Sequence, residues 1–368
     1  MTVSHPAEQT GRTSPAPSAG SSGPPGPPKG HLRLGRWLVL PVERSAVVAS
    51  LCAFAALLLA AVATLTLGRL GLRLADLPTA LLGGAEGKDA FVLDRLRGPR
   101  LVTGIATGAA FGLSGALFQS VTRNPLASPD VIGLSGGAGA GAAATALLLP
   151  ALPVWTGALL GAILAMCLVY VSTGTGFRNP GRLVVAGIGV AALATALTQY
   201  VVYVVERDKA NVLTAYLNGS LAARSWSDAT TIWCVLLVAG PLAGLLARRL
   251  TLTEMGDEIS AALGSDPGRT RSVAVVLSVV LAAGAVSVAG PIAFIALTAP
   301  QIARRITRGA GPRLLLSALM GALLLVLADL ASQQLTLFED LPAGIYTMAF
   351  GGVYLGYLLT REWRRGSL

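Results

Sequence analysis

The chain of 368 residues is 53% hydrophobic and only 12% charged, with a mean hydropathy of +0.67 and a formal net charge of +10. Soluble domains carry roughly 25% charged residues, so this composition excludes an ordinary water-soluble fold and indicates a membrane protein. The positive charge is scattered among short loops with no aromatic-basic cluster, which argues against a nucleic-acid partner and for membrane topology.

Residues 1–44 read as a tail. They begin with a disordered Pro-, Gly- and Ser-rich stretch, including "SPAPSAGSSGPPGPPKG", and end in a basic juxtamembrane segment. The first apolar run comes too late for a cleavable signal peptide, so it reads as a retained span. Residues 45–362 form the membrane domain, and 363–368 a short C-terminal tail. Within the domain, apolar segments near 47–67, 100–120, 131–148, 152–172, 182–204, 228–247, 271–289, 291–306, 313–332 and 342–360 predict an all-α polytopic protein with about ten transmembrane helices. Ten spans put both termini on one side. With that side cytoplasmic, the inner segments hold 19 of the 28 Lys and Arg residues, including "ARRL", "IARRITRGAGPR" and "REWRR". Six of the nine outer ones fall between Arg69 and Arg100, against the usual bias.

Cys52, Cys167 and Cys234 sit singly inside apolar segments without metal-ligand spacing and read as small core residues. Both histidines, His5 and His31, precede the first span, so no span supplies an imidazole base or ligand.

Along the second span, Gly104, Gly108 and Gly112 form a GxxxGxxxG stripe that predicts close helix packing. "RLRGPR" (95–100) at its start places Arg97 and Arg100 on neighbouring helical positions. Their outer location, where positive charge is disfavoured, points to docking of an acidic partner rather than headgroup anchoring. After the span, "RNPLASPD" (123–130) carries two prolines that break any helix through it. "GLSGGAGAG" (133–141) has no following Gly-Lys-Ser/Thr and no preceding strand, so it predicts small-residue contact or a locally distorted helix and not a phosphate loop. "TEMGDEISAALGSDPGRTR" (253–271) reads as one or two surface helices with Ile259, Ala262 and Leu263 on one side, an apolar strip that needs a partner. Asp329 lies late in an apolar helix, where it can pair or hydrate.

These blocks resemble the FecCD family, the permeases of ABC importers for iron-siderophores, haem and cobalamin. "RGPRLVTGIATGAAFGLSGALFQSVTRNPLASPDVIGLSGGAGAG", "GDEISAALG", "AGPIAFIALTAPQIARRITRG", "LADLASQQ" and "DLPAGIYTMAFGGVYLGYLL" occur in the family's order over about residues 45–362. The resemblance implies a non-enzymatic permease of the cobalamin/iron-siderophore type in the cell membrane. It would share a translocation path with a second permease subunit, the same or homologous, and bind no cofactor directly. Two cytoplasmic ABC ATPase subunits would carry ATP and Mg, and an extracellular binding protein would deliver a ferric siderophore-like solute, with haem or cobalamin as alternatives. It further implies that Asn124, Pro125 and Leu126 belong to a cytoplasmic gate loop. Gly256, Asp257, Glu258, Ile259, Ala262, Leu263 and Gly264 would form the ATPase-coupling segment, and Arg97 and Arg100 would meet glutamates on the binding protein. Three positions depart from the family's pattern: Gln301 for a common histidine, Ala296 for a glycine, and Gln333 for a docking arginine. An ion-coupled transporter would need more intramembrane acids than Asp329, and an intramembrane enzyme would need a nucleophile with its base.

Overall fold

A computed structural model describes residues 31–34, 38–41, 43–68, 70–149, 151–174, 180–204, 216–307, 311–335 and 341–364. Residues 1–30, the Pro-rich tail expected to lack a fold, and 365–368 lie outside the described residues. Within the basic juxtamembrane segment, β1 (His31–Leu34) pairs antiparallel with β2 (Leu38–Pro41), His31 opposite Pro41 and Leu34 opposite Leu38. Nothing in the sequence pattern flags this hairpin.

Each of the ten expected spans contains a helix. These are α1 (Arg44–Thr66), α2 (Gly98–Thr122), α3 (Leu134–Leu148), α4 (Val154–Ser172), α5 (Pro180–Val204), α6 (Trp226–Glu254), α7 (Pro267–Ala289), α8 (Ile295–Thr307), α9 (Leu314–Gln334) and α10 (Ala343–Arg364). Seven helical stretches among the described residues are long and apolar enough to cross a bilayer. Helices α3 and α8 are shorter, 15 and 13 residues, and at 1.5 Å per residue reach only about 20 Å of a core some 30 Å thick.

Helix α2 is the axis of the bundle. Its apolar window is 89% buried, against 17% for α1 and for α5, and it packs on α6, α7, α8 and α9. Small residues make that possible. A methyl group at Gly108 would lie 2.4 Å from the Gly321 carbonyl oxygen, and one at Gly112 would lie 2.1 Å from that of Ser317, so α2 and α9 meet backbone to backbone. The glycine-rich start of α3 does the same with α4, where a methyl at Gly141 would come within 2.0 Å of the Gly157 oxygen. It is a packing surface, as its composition predicts. Helices α2 and α7 are tied by a reciprocal pair: Ser114 Oγ donates to the Ser278 carbonyl at 2.6 Å, and Ser278 Oγ to that of Ser114 at 2.9 Å. Both serines are fully buried, so each bond satisfies a hydroxyl that lipid could not.

The cysteines correct the sequence expectation. Cys52, Cys167 and Cys234 are free and exposed on α1, α4 and α6 rather than packed in the core. In a membrane chain the outward faces are themselves apolar, so an apolar neighbourhood in sequence does not mean the inside.

Candidate functional site

At one end of the bundle, α2 stops at Arg123, whose φ of 52° is left-handed. Asn124 then closes a side-chain turn, its Oδ1 accepting the Leu126 backbone N–H at 2.8 Å, while the Ala127 N–H reaches the Asn124 carbonyl at 3.1 Å. Asn124, Pro125 and Leu126 are exposed at the tip, and Ala127, Ser128 and Pro129 are buried behind them. The helix-breaking stretch is thus a compact turn that presents three residues outward. Pro129 opens a short 3-10 turn, Pro129–Ile132, leading into α3. Burial raises the Asp130 carboxyl above its ordinary value, opposed by hydrogen bonds from Ser135, at 2.5 Å, and Ser128.

Helix α8 holds this loop from beneath. Gln301, almost fully buried, donates its amide to the Pro125 carbonyl at 2.5 Å. Arg304 donates to Gln119 Oε1 at 2.6 Å, and Gln119 Nε2 donates to the Leu297 carbonyl at 3.0 Å, tying α2 to α8 one turn away. The glutamine at the first departure from the family pattern therefore supports the loop itself. At the second departure, Ala296 lies where α8 and α2 touch, its carbonyl 1.8 Å from where a methyl on Gly115 would stand.

Beside the loop, Gly256 at φ 128° breaks α6 and a short helix, Asp257–Ala262, follows before Gly264 at φ 78°. Glu258, Ile259, Ala262, Leu263 and Gly264 are exposed while Ser260 is buried. Ile259 and Leu263 are 47% and 60% exposed, so the expected apolar strip has no cover within the chain. Asp257 faces the other way. It forms an ion pair with Arg123, and Arg271 of α7 donates to its Oδ1 at 2.6 Å. Arg123 also donates to the Thr253 carbonyl at 2.5 Å. The Arg271 hydrogen bond, with a further contribution from that of Arg123, holds the Asp257 carboxyl below its usual range. Two stretches more than a hundred residues apart thus share one carboxylate. Arg123 and Arg271 carry this cluster, and although both stand at the edges of quoted motifs, neither was expected to take part in the site.

At the opposite end, Arg97 and Arg100, the residues expected to meet glutamates of a binding protein, are both engaged within the chain. Arg97 is 9% exposed and donates Nη1 to the Thr64 carbonyl of α1 at 2.6 Å. Arg100 grips Asp329, Nε at 2.9 Å from Oδ2 and Nη2 at 2.7 Å from Oδ1, with Ser332 Oγ at 3.2 Å from Nη2. Gln333, at the third departure, donates to Asp329 Oδ2 at 2.7 Å. The physical reason is desolvation. A carboxylate on α9 with a side chain only 4% exposed requires a cation, and Arg100 supplies it. Arg73, Lys88 and Arg95 of the same region remain exposed.

The sequence pattern of the FecCD transport family matches residues 56–361. The chain is 36% identical over 326 residues to the ferric enterobactin transport system permease protein FepG of Escherichia coli (strain K12), covering 88% of this chain and 99% of that protein. It is also 36% identical over 295 residues to the Fe(3+)-citrate import system permease protein YfmE of Bacillus subtilis (strain 168), covering 78% and 88% respectively. The fold matches an inward-facing structure of a metal-chelate type ABC transporter with a TM-score of 0.73 at 24% identity, covering 86% of this chain and 99% of that one. With the family's pattern running through all ten helices, this chain belongs to the FecCD transport family.

Proposed function

We propose that this chain is the permease subunit of an ATP-driven importer of ferric siderophores. Support for the solute class comes from the relatives, named for ferric enterobactin and Fe(3+)-citrate. The single observation that carries the mechanism is the exposed strip of Ile259 and Leu263 on a short helix whose Asp257 is ion-paired to Arg123, the residue immediately before the Asn124–Leu126 turn. In this reading the Arg123 end is cytoplasmic, as are both termini. Ile259, Ala262 and Leu263 fit a cleft in an ATPase subunit, of which two carry ATP and Mg. Asn124, Pro125 and Leu126 close the inner end of a path shared with a second permease subunit. The chain itself makes and breaks no covalent bond. It alternates access, with hydrolysis on its partners moving the coupling helix.

At the opposite, extracellular end a solute-loaded binding protein lands. In this reading Arg97 and Arg100 stand at the docking end, held in place by Thr64 and Asp329, and the exposed Arg73, Lys88 and Arg95 beside them add steering charge. The test is reconstitution of the permease with its ATPase and binding protein in liposomes, measuring uptake of a radiolabelled ferric siderophore. ATP-dependent uptake that stops without the binding protein is expected. Uptake driven by an ion gradient without ATP overturns the proposal.

A further inference from the structure

The carboxylate of Asp257 is shared between a guanidinium at the root of the gate turn and another on α7. Arg123 is the last residue before that turn and holds a left-handed backbone, so a pull on its side chain acts at the hinge where α2 ends and the turn begins. Its second hydrogen bond, to the Thr253 carbonyl, lies on the last turn of α6, immediately before the coupling helix. The side chain therefore bridges two backbone segments that are otherwise joined by no local chain connection. The two anchors differ in kind. Arg271 ties Asp257 to the body of α7, whose window is 78% buried, while Arg123 ties it to an exposed loop.

We propose that Asp257 is a positioning residue that latches the coupling helix to the gate turn through Arg123, so that displacement of the helix is delivered to Asn124–Leu126 along one ion pair. This rests on the transport reading above and adds the element that transmits the motion. Gln301 supplies the opposing hold: it fixes the Pro125 carbonyl to α8, so the turn is pinned on one side and pulled from the other. On this proposal the turn switches between Arg123 engaged, as observed, and Arg123 released.

The test uses the complete transporter in liposomes, with Cys52, Cys167 and Cys234, all exposed, first replaced by alanine. Leu126→Cys then reports gate accessibility by its rate of maleimide labelling with and without ATP. Both Arg123→Gln and Asp257→Asn should shrink the ATP-dependent change in rate about two- to fivefold, the span that one exposed ion pair supports. Combining them should shrink it no further, because both remove the same contact. Arg123→Lys should restore part of the response, and Arg271→Gln, which spares the gate-side pair, should leave most of it. Multiplicative effects of the two single variants, or an Arg271→Gln loss equal to that of Arg123→Gln, overturn the latch. If the Leu126→Cys parent responds to ATP and Arg123→Gln responds equally, the latch fails and the transport reading stands. If the transporter with only Cys52, Cys167 and Cys234 replaced, Leu126 intact, shows no ATP-dependent uptake of ferric siderophore, it is the transport reading that fails.

Discussion

Replacing Arg100 by alanine separates the structural account of the Asp329 end from a docking account. The Asp329 side chain is 4% exposed and accepts from Arg100 through both Nε and Nη2, with Gln333 as a further donor. Removing the guanidinium leaves a buried carboxylate facing one neutral amide. Breaking a buried pair from one side costs about 3–5 kcal/mol, because the surviving charge is stranded. The converse change, Asp329→Asn, should cost less: the Arg100 side chain is 22% exposed and can turn its charge to water. Arg100→Leu combined with Asp329→Leu should recover most of the loss, since two apolar side chains strand nothing. Thermal unfolding of the purified protein in detergent is the assay, and Arg100→Ala should lower the midpoint by roughly 5–10 °C. A midpoint equal to the parent's, together with weakened binding-protein association, would refute this reasoning and return Arg100 to the outer surface.

Gly112→Ala places a methyl 2.1 Å from the Ser317 carbonyl oxygen and should force α2 and α9 apart at a cost of about 1–3 kcal/mol, read in the same unfolding assay. Gly189→Ala on α5, which meets nothing within 4 Å, is the matched control and should be silent. Ile259→Asp with Leu263→Asp should abolish co-purification of the ATPase while leaving the unfolding midpoint unchanged, because both side chains face away from the chain. A depressed carboxylate contributes stability above its unfolded pKa and loses it only as pH falls through its folded value. The stability difference between parent and Asp257→Asn should therefore stay constant from neutral pH down to the ordinary aspartate value of 3.8 and vanish only below it. Charge reversal of Arg73, Lys88 and Arg95 to Glu should slow binding-protein association in a low-salt series, with the difference fading as screening grows.

The ten-helix layout was legible because the spans are predominantly apolar runs bounded by charge, Pro or Gly, and helices satisfy their own backbone in lipid. The glycine stripes were legible for a similar reason: Gly108 and Gly112 serve no purpose on one face of a helix except close approach. Which face of a span looks inward was not legible, since lipid-facing and core-facing positions are both apolar, and the cysteines fell on the wrong side for that reason. The turn at Asn124–Leu126 could be placed from its prolines. Its attachment could not, because Arg123 and Asp257 are 134 residues apart and each looks like an ordinary charge at a helix end. The arginines at the other end show the same limit. Their charge was read against topology, whereas their partners inside the chain lie far off in sequence, Thr64 33 residues before Arg97 and Asp329 229 residues beyond Arg100.

The distribution of these contacts separates a rigid part of the subunit from a part able to move. The interior of α2 meets α9 through bare backbone and α7 through a buried serine pair, contacts that tolerate almost no sliding because every atom is already at contact distance. The Arg100–Asp329 pair closes the same two helices at their far end. At the Arg123 end the contacts change character. There the α2 terminus is joined to its neighbours by long, flexible side chains: Arg123 to Asp257, Gln301 to Pro125, Arg304 to Gln119. Such links can break and re-form over several ångströms without disturbing helix packing. Motion delivered by an ATPase at Asp257–Ala262 would therefore be absorbed at the gate turn and not spread through the bundle. On the proposed reading, a gate at this turn would open without loosening the packing of α2 on α7 and α9.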